Sequence, residues 1–251
     1  MTASVVDDGG QGGVPVVFLH SLAGRASHWS SQLARLRTNR RALALELPGH
    51  GSAPPASDGD YSIEAMSRAV SSALTPLQLG RVVIAGHSFG GGVALEYART
   101  HPDHVVGLLL LDPISDGRQI PASEVEPFLA ALDSSAYSQT IEEYWTGIAG
   151  PNRAIRQRLL EDLRHTPRDV VVGGFRAVLA YDPVAALGRL RAPAVSVVTP
   201  QNDGPASLHR LGRFPHSVVK GAGHWIQLEQ PDLINRIFEE WLATVAPAPR
   251  N

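Results

Sequence analysis

Short apolar runs alternate with longer amphipathic stretches over the first hundred or so positions of the chain. The runs are rich in valine, isoleucine and leucine, which is typical of strands buried on both faces of a parallel sheet. They lie at residues 14–19, 42–46, 81–85 and 105–111. The stretches between them carry apolar residues at helical spacing and lie at 27–36, 62–77 and 91–98, with Ser62 placed to cap the second. This alternation predicts an α/β fold, a mostly parallel, doubly wound sheet with helices on both faces.

The pattern changes between about residue 115 and residue 181. This stretch is almost entirely helix-like and is interrupted by prolines at 121, 127, 151 and 167. Strand-like runs return at 194–198 and 217–219, followed by an amphipathic helix over 232–245. We therefore expect an α/β core made of residues 1–114 and 182–251, with a helical lid at 115–181 inserted before the last two strands.

Composition narrows the classes of function. With 251 residues, 43% apolar and 18% charged, the chain is typical of a globular protein with one substantial core. A net charge of −2 gives no electrostatic basis for binding nucleic acid or an anionic membrane. The absence of cysteine excludes disulfides and thiolate chemistry. No signal peptide or membrane-spanning apolar run is evident, so we expect a soluble, cytoplasmic protein, either monomer or homodimer, that acts on a small molecule.

The candidate chemistry begins at Gly86-His87-Ser88-Phe89-Gly90, which joins a buried strand to a helix. A serine at the apex of a sharp strand-to-helix turn is held in strained backbone angles with its hydroxyl exposed. A Cβ at position 86 or 90 would collide with the flanking strand and helix, which accounts for the two glycines. Ser88 is therefore the candidate nucleophile.

A serine nucleophile needs a histidine base, and His224 is the strongest candidate because it lies between the last strand and the last helix. His50 and His87 lie in glycine-containing turns, where structural roles are expected. His101 and His104 have the spacing of a metal-binding pair, but no third ligand accompanies them. No metal or cofactor is expected.

Two aspartates could orient His224. Asp203 follows the strand-like run 194–198, and Asp112 ends the run 105–111. An aspartate after a strand is often only a turn former, so neither position is decisive by itself. Asp203 is favoured because it lies after the lid-like stretch and before His224, in the required order of serine, acid and histidine.

The chain resembles the α/β-hydrolase superfamily, in its lid-bearing group of small esterases and related hydrolases. The motifs that carry the resemblance span nearly the whole chain: His20 to Gly24 with Trp29, Glu46 to Gly51, the turn at 86–90, Asp203, Gly223-His224, and Glu229 to Pro231. The resemblance implies Ser88 as nucleophile, His224 as general base and acid, and Asp203 as its orienting acid. It also implies an oxyanion hole formed by the backbone N–H groups of Leu22 and Phe89.

The implied activity is hydrolysis of a small to medium carboxylic ester of apolar character through a Ser88 acyl-enzyme. Candidate pocket residues are Ser21, Trp145 and Trp225. Relatives with the same triad cleave carbon–carbon bonds or lactones, or make peracids, and the sequence does not separate these activities. A protein that keeps the triad but only binds or senses a ligand is the alternative from another class.

The chain departs from the family pattern in three places. Ser21 stands where the family usually has glycine, so a hydroxyl is added near the oxyanion loop. The loop before Asp203 carries residues 200–202 in place of the usual glycine and is one residue longer than usual. Only thirteen residues precede Val14, where relatives carry one or two further strands, so we expect the sheet to lack its first strand.

Overall fold

The computed structural model describes residues 2–247 of the chain. Seven strands form one sheet in the order β1-β3-β2-β4-β5-β6-β7. The strands are β1 (Ser4–Gly9), β2 (Val16–Leu19), β3 (Ala42–Glu46), β4 (Val82–His87), β5 (Val105–Leu111), β6 (Ala194–Val198) and β7 (His216–Val218). Strands β2 to β7 run parallel to their neighbours and β1 is antiparallel to β3. The predicted fold class, an α/β protein with a mostly parallel sheet, is confirmed.

Eleven α-helices accompany the sheet within the described residues. They are α1 (Ser30–Leu36), α2 (Ile63–Leu74), α3 (Phe89–Thr100), α4 (Ala122–Asp133), α5 (Tyr137–Ile148), α6 (Arg153–His165), α7 (Arg168–Ala180), α8 (Pro183–Leu187), α9 (Leu208–Gly212), α10 (Ile226–Glu229) and α11 (Pro231–Val245). As expected, the side chain of Ser62 caps α2 and accepts a hydrogen bond from the Ala65 N–H at 3.2 Å. Within this part of the chain no helix is both long and apolar enough to cross a membrane.

The sheet is buried on both faces, which explains why its strands are almost wholly apolar. Successive side chains of a strand point to opposite faces. Val17 and Leu19 pack on one face against residues of α2 and α3, and Val16 and Phe18 pack on the other against α1 and α11. Each central strand therefore contributes to two cores, so a polar residue at almost any of its positions would be buried.

Strand β1 corrects one expectation. The sheet was expected to lack its first strand, yet Ser4–Gly9 pairs antiparallel with β3 ahead of β2. Its sequence is only partly apolar because it lies at the sheet edge, where two of its six positions are exposed and none is fully buried. Two ion pairs hold it in place: Arg37 binds Asp7 at 2.7 Å and Arg41 binds Asp8 at 2.6 Å.

Five α-helices lie between β5 and β6, and the first four of them, α4 to α7, are called the helical insertion. Asp162 on α6 attaches this insertion to the sheet-containing part of the chain. Its carboxylate accepts a hydrogen bond from His28 Nε2 at 2.8 Å and forms an ion pair with Arg25 at 2.8 Å. The insertion therefore packs close to the segment that follows β2.

Candidate active site

The turn between β4 and α3 holds Ser88 in an unusual backbone conformation. Its φ is 54° and its ψ is −119°, in a region that favours glycine. Both flanking positions need glycine because neither has room for a Cβ, as expected from the sequence. A Cβ on Gly86 would meet the backbone of Gly90, and a Cβ on Gly90 would meet the backbone of Leu19 and His20. The tight approach of these segments holds Ser88 at the carboxyl edge of the sheet.

His224 lies in the loop between β7 and α10, and its ring is oriented by Asp112. The His224 Nδ1–H donates to Asp112 Oδ2 at 2.6 Å. The other oxygen, Oδ1, accepts the Thr199 N–H at 2.7 Å and the Thr199 hydroxyl at 3.1 Å. Asp112 is buried, so these bonds satisfy its charge away from water. With Nδ1 engaged, His224 Nε2 is left as the basic nitrogen.

The expectation that Asp203 orients His224 is contradicted by the geometry. Asp203 Oδ1 accepts from His209 Nε2 at 3.1 Å and pairs with Arg210 at 2.6 Å. The hydrogen bond from His209 and the charge of Arg210 lower the pKa of Asp203. Asp203 thus belongs to a local ion-pair cluster, and the rival aspartate holds the histidine.

Sheet order explains why Asp112 reaches the site. β5 is hydrogen-bonded directly to β4, so the residues that follow these two strands are neighbours at the same sheet edge. The Ser88 N–H donates to the Leu111 carbonyl at 3.0 Å, immediately before Asp112. Asp112 itself has a φ of 36°, a further strained position beside the serine.

The loop after β2 brings Leu22 to the same region. His20 is buried and shapes this loop: its Nδ1–H donates to the Ser21 carbonyl at 2.7 Å, and its Nε2 accepts the Leu47 N–H at 3.0 Å. Burial lowers the pKa of His20 well below its usual range, so the ring is neutral. The turn closes with a hydrogen bond from the Gly24 N–H to the Ser21 carbonyl at 3.0 Å.

The two backbone amides expected to form an oxyanion hole are available. The Phe89 N–H is among the free donors at the start of α3, where the helix dipole favours negative charge. Neither this amide nor that of Leu22 has an acceptor within residues 2–247. Both residues line the same cavity as Ser88 and His224.

His87 supports the main chain of His224, a contact that sequence reasoning did not find. The His87 Nε2–H donates to the His224 carbonyl at 2.9 Å, while its Nδ1 accepts from the Gln227 side-chain amide at 3.2 Å. Burial lowers the pKa of His87 well below its usual range, which keeps the ring neutral in this role. Its place next to Ser88 was the only sequence signal, and that signal is shared with many structural histidines.

A cavity of about 620 Å³ lies between the sheet edge and the helical insertion. All three tentative pocket residues line it: Ser21, Trp145 and Trp225. The rings of Trp145 and Trp225 have centroids 6.1 Å apart, and Trp225 Nε1–H donates to the Ser21 hydroxyl at 3.3 Å. Ser21, the departure from the family pattern, is thus a hydrogen-bond partner of a pocket tryptophan.

The helical insertion also contacts the histidine loop directly. The His224 N–H donates to the Ile148 carbonyl at 2.9 Å. A Cβ on Gly223 would meet the backbone of Gly150, so these two loops touch main chain to main chain. The position of His224 therefore depends on the insertion as well as on the sheet.

Two groups of side chains contain residue types that bind metals. His101 and His104 are engaged with Ser71 and Tyr97 at 2.9 Å each, consistent with a structural role. Asp203, His209 and His216 bring ligand atoms within 4.8 Å of one another. Because Arg210 already binds the Asp203 carboxylate, this cluster is best described as an ion-pair network.

Comparison with known proteins identifies the class. A model of the alpha/beta hydrolase family matches residues 16–237, so the chain belongs to this family. The chain is 30% identical over 238 residues to the dihydrolipoyllysine-residue acetyltransferase component of the acetoin cleaving system from Pseudomonas putida. That alignment covers 91% of the chain and 63% of the relative, so the chain spans less than two thirds of the relative's length.

Two solved structures have closely similar folds. A thermophilic esterase from Thermogutta terrifontis matches with a TM-score of 0.83 and 23% identity, covering 97% of this chain and 94% of the esterase. An enol-lactonase from Burkholderia xenovorans LB400 matches with a TM-score of 0.82 and 19% identity, covering 94% and 95%. At these identities the likeness concerns the fold alone.

Proposed function

We propose that this protein is a serine hydrolase that cleaves a small to medium carboxylic ester through a Ser88 acyl-enzyme. The observation that carries the proposal is the convergence of Ser88 and a His224–Asp112 pair on one cavity. A half-buried serine in a strained turn at the cavity wall, a histidine with a free Nε2 and a buried orienting carboxylate are the three parts that nucleophilic acyl transfer needs. The apolar walls supplied by Trp145 and Trp225 favour an ester of apolar character.

In the proposed mechanism, His224 Nε2 takes the Ser88 hydroxyl proton as Ser88 Oγ bonds to the ester carbonyl carbon. The carbonyl π electrons move to oxygen, and the N–H groups of Leu22 and Phe89 stabilise the resulting oxyanion. The tetrahedral intermediate then collapses. The bond to the alkoxy oxygen breaks, and His224 gives its proton to the departing alcohol.

Deacylation repeats these steps with water. His224 Nε2 takes a proton from water as the water oxygen attacks the acyl carbon, and the oxyanion again lies at the two amides. Collapse breaks the bond to Ser88 Oγ, which recovers its proton from His224 and releases the carboxylic acid. Asp112 keeps the imidazole oriented and stabilises its charged form throughout.

The helical insertion, residues 115–181 by the boundaries predicted from sequence, is proposed to act as the lid of this site. Support comes from Trp145 and Phe175, which lie on its helices and line the cavity. Its contact with the His224 N–H through Ile148 would couple closure of the cavity to placement of the base.

The test combines active-site labelling with turnover. A fluorophosphonate probe should label the wild-type protein, and 4-nitrophenyl esters of short acids should be hydrolysed steadily rather than in a single burst. Ser88→Ala should remove labelling and lower kcat by about 10⁴-fold or more. Ser72 is an exposed serine on α2, and Ser72→Ala is the matched control that should change neither labelling nor kcat.

Other outcomes would contradict parts of the proposal. Ligand binding without labelling or turnover in the wild type would instead indicate a ligand-binding or sensing protein. Steady turnover of lactones, or of substrates cleaved at a carbon–carbon bond, in preference to esters would show that the proposed substrate class is wrong while Ser88 remains the nucleophile.

A further inference from the structure

One arginine lines the proposed active-site cavity without a carboxylate partner. Arg156, on α6 of the helical insertion, is half-buried and shares the cavity with Ser88 and His224. Within residues 2–247 no carboxylate lies within 4.0 Å of its guanidinium. Its Nε–H is buried and has no hydrogen-bond acceptor, while Nη2 donates to the Gly150 carbonyl at 3.2 Å.

The Nε–H of Arg156 is unpartnered and closed to water, so it adds a cost to placing this arginine but cannot itself receive a ligand. A buried donor without an acceptor loses its hydration and gains nothing in return, and the loss is larger for a charged group. The other fixed charge in the cavity wall, Asp112, is already engaged by Thr199 and His224 and does not pair with Arg156. A bound anion would therefore have to meet the Nη groups, and Nη1 has no hydrogen-bond acceptor among residues 2–247.

The shape and charge of the site favour a carboxylate. A guanidinium presents its N–H donors in a planar fork that matches the two oxygens of a carboxylate. Arg156 is the one arginine or lysine among the described residues that line the cavity, and most of the remaining wall is apolar. One cation balances a carboxylate monoanion, whereas it would leave a phosphate dianion half-compensated.

We propose that Arg156 binds a carboxylate of the substrate, so that the preferred ester carries a free carboxylate at a distance from the scissile carbonyl. This proposal rests on the proposed hydrolase function and specifies its substrate class. Arg156 is a specificity residue in this scheme, since it binds a part of the substrate that does not react. The competing role is structural, because Nη2 also holds the turn at Gly150, which touches the His224 loop.

The experiment compares matched pairs of substrates. Mono-4-nitrophenyl esters of succinic, glutaric and adipic acid are measured beside the same compounds with the free carboxylate capped as a methyl ester. The series of chain lengths covers different separations between Ser88 and Arg156. For at least one length, wild-type kcat/KM should be about 10-fold or more higher for the free acid than for the capped compound.

Arg156→Gln should lower kcat/KM for the free acids by about 10- to 100-fold and change that for the capped esters by less than about 3-fold. Arg156→Lys should restore part of the preference, because it keeps the charge and loses the planar fork. Arg153 is an exposed arginine of the same helix, and Arg153→Gln is the matched control. It should leave kcat/KM unchanged for both the free acids and the capped esters. Equal losses for both classes in Arg156→Gln, or no wild-type preference at any length, would overturn the proposal in favour of the structural role.

A binding measurement separates this proposal from the hydrolase proposal. Monomethyl glutarate and dimethyl glutarate are titrated calorimetrically into Ser88→Ala and into Ser88→Ala combined with Arg156→Gln. Tighter binding of the monoanion that disappears in the double variant supports the carboxylate site even if no ester is turned over. Equal binding of the two compounds in Ser88→Ala contradicts it even if the wild type is an active esterase.

Discussion

Asp112 and Asp203 each come shortly after a buried strand, and local sequence does not distinguish an orienting acid from a turn former. In the folded chain, Asp112 receives the hydrogen bonds of Thr199 and His224, while Asp203 receives those of His209 and Arg210. Position along the chain, after the helical insertion and before His224, favoured Asp203, which is the wrong aspartate. The order of strands in the sheet decides the matter, because β5 lies directly beside β4.

Replacing each aspartate by asparagine tests this assignment. Asp112→Asn should lower kcat for a 4-nitrophenyl ester by about 10⁴-fold, because an amide stabilises neither the correct tautomer nor the imidazolium. Asp203→Asn should leave kcat within about 3-fold of wild type, although it weakens the pairing with Arg210. Steady-state kinetics of the two variants at pH 7.5 provide the measurement. A larger loss of kcat in Asp203→Asn than in Asp112→Asn would return the orienting role to Asp203.

At the scale of elements, sequence patterns located most of the fold. The strand-like runs correspond to β2 to β7, and the amphipathic pattern near the C-terminus corresponds to α11. These elements could be predicted because their apolar periodicity reflects burial that every similar fold imposes. β1 was missed because an exposed edge strand need not be apolar, and its place depends on the distant partners Arg37 and Arg41.

The contact between the helical insertion and the histidine loop gives a prediction at this scale. Gly223→Ala should place a methyl group against the backbone of Gly150, forcing the two loops apart and moving His224. We expect the free energy of unfolding to fall by about 1–3 kcal/mol and kcat/KM to fall by about 10-fold or more.

Gly204→Ala is the control for this substitution, since no atom lies within 4 Å of the added Cβ and its φ is not positive. Urea denaturation and ester hydrolysis are measured on both variants. Wild-type activity in Gly223→Ala would mean that the insertion does not position His224.

For the whole molecule, the buried histidines make stability depend on pH. Burial lowers the pKa of His20 and His87 well below their usual range and that of His50 from 6.5 to about 4. Below pH 6.5 the unfolded chain takes up protons at these positions that the folded chain does not accept. The free energy of unfolding is therefore greatest above pH 6.5 and decreases as pH falls toward 4.

His50→Asn isolates one part of this dependence. The asparagine amide can replace the Nδ1–H donor that binds the Pro48 carbonyl at 3.0 Å, without adding a titrating group. Between pH 6.5 and 5.5 the free energy of unfolding of His50→Asn should decrease less steeply than that of the wild type. The two slopes should differ by up to about 1.4 kcal/mol per pH unit. Urea melts at pH 7.5, 6.5 and 5.5 provide the data. An unchanged slope would show that His50 already binds a proton in the folded state.

Prediction from sequence reached the α/β class, the turn at Ser88 and the candidate base His224, because each depends on local rules. A strained strand-to-helix turn needs small residues at set positions, and buried strands need apolar residues, whatever the rest of the chain does. The identity of the orienting acid, the support of His224 by His87 and Ile148, and the absence of a carboxylate partner for Arg156 among the described residues could not be reached this way. Each depends on which distant segments become neighbours when strands pair and the helical insertion packs over the sheet edge. The local sequence does not determine which distant segments come into contact, and only the folded chain sets the distances between their side chains.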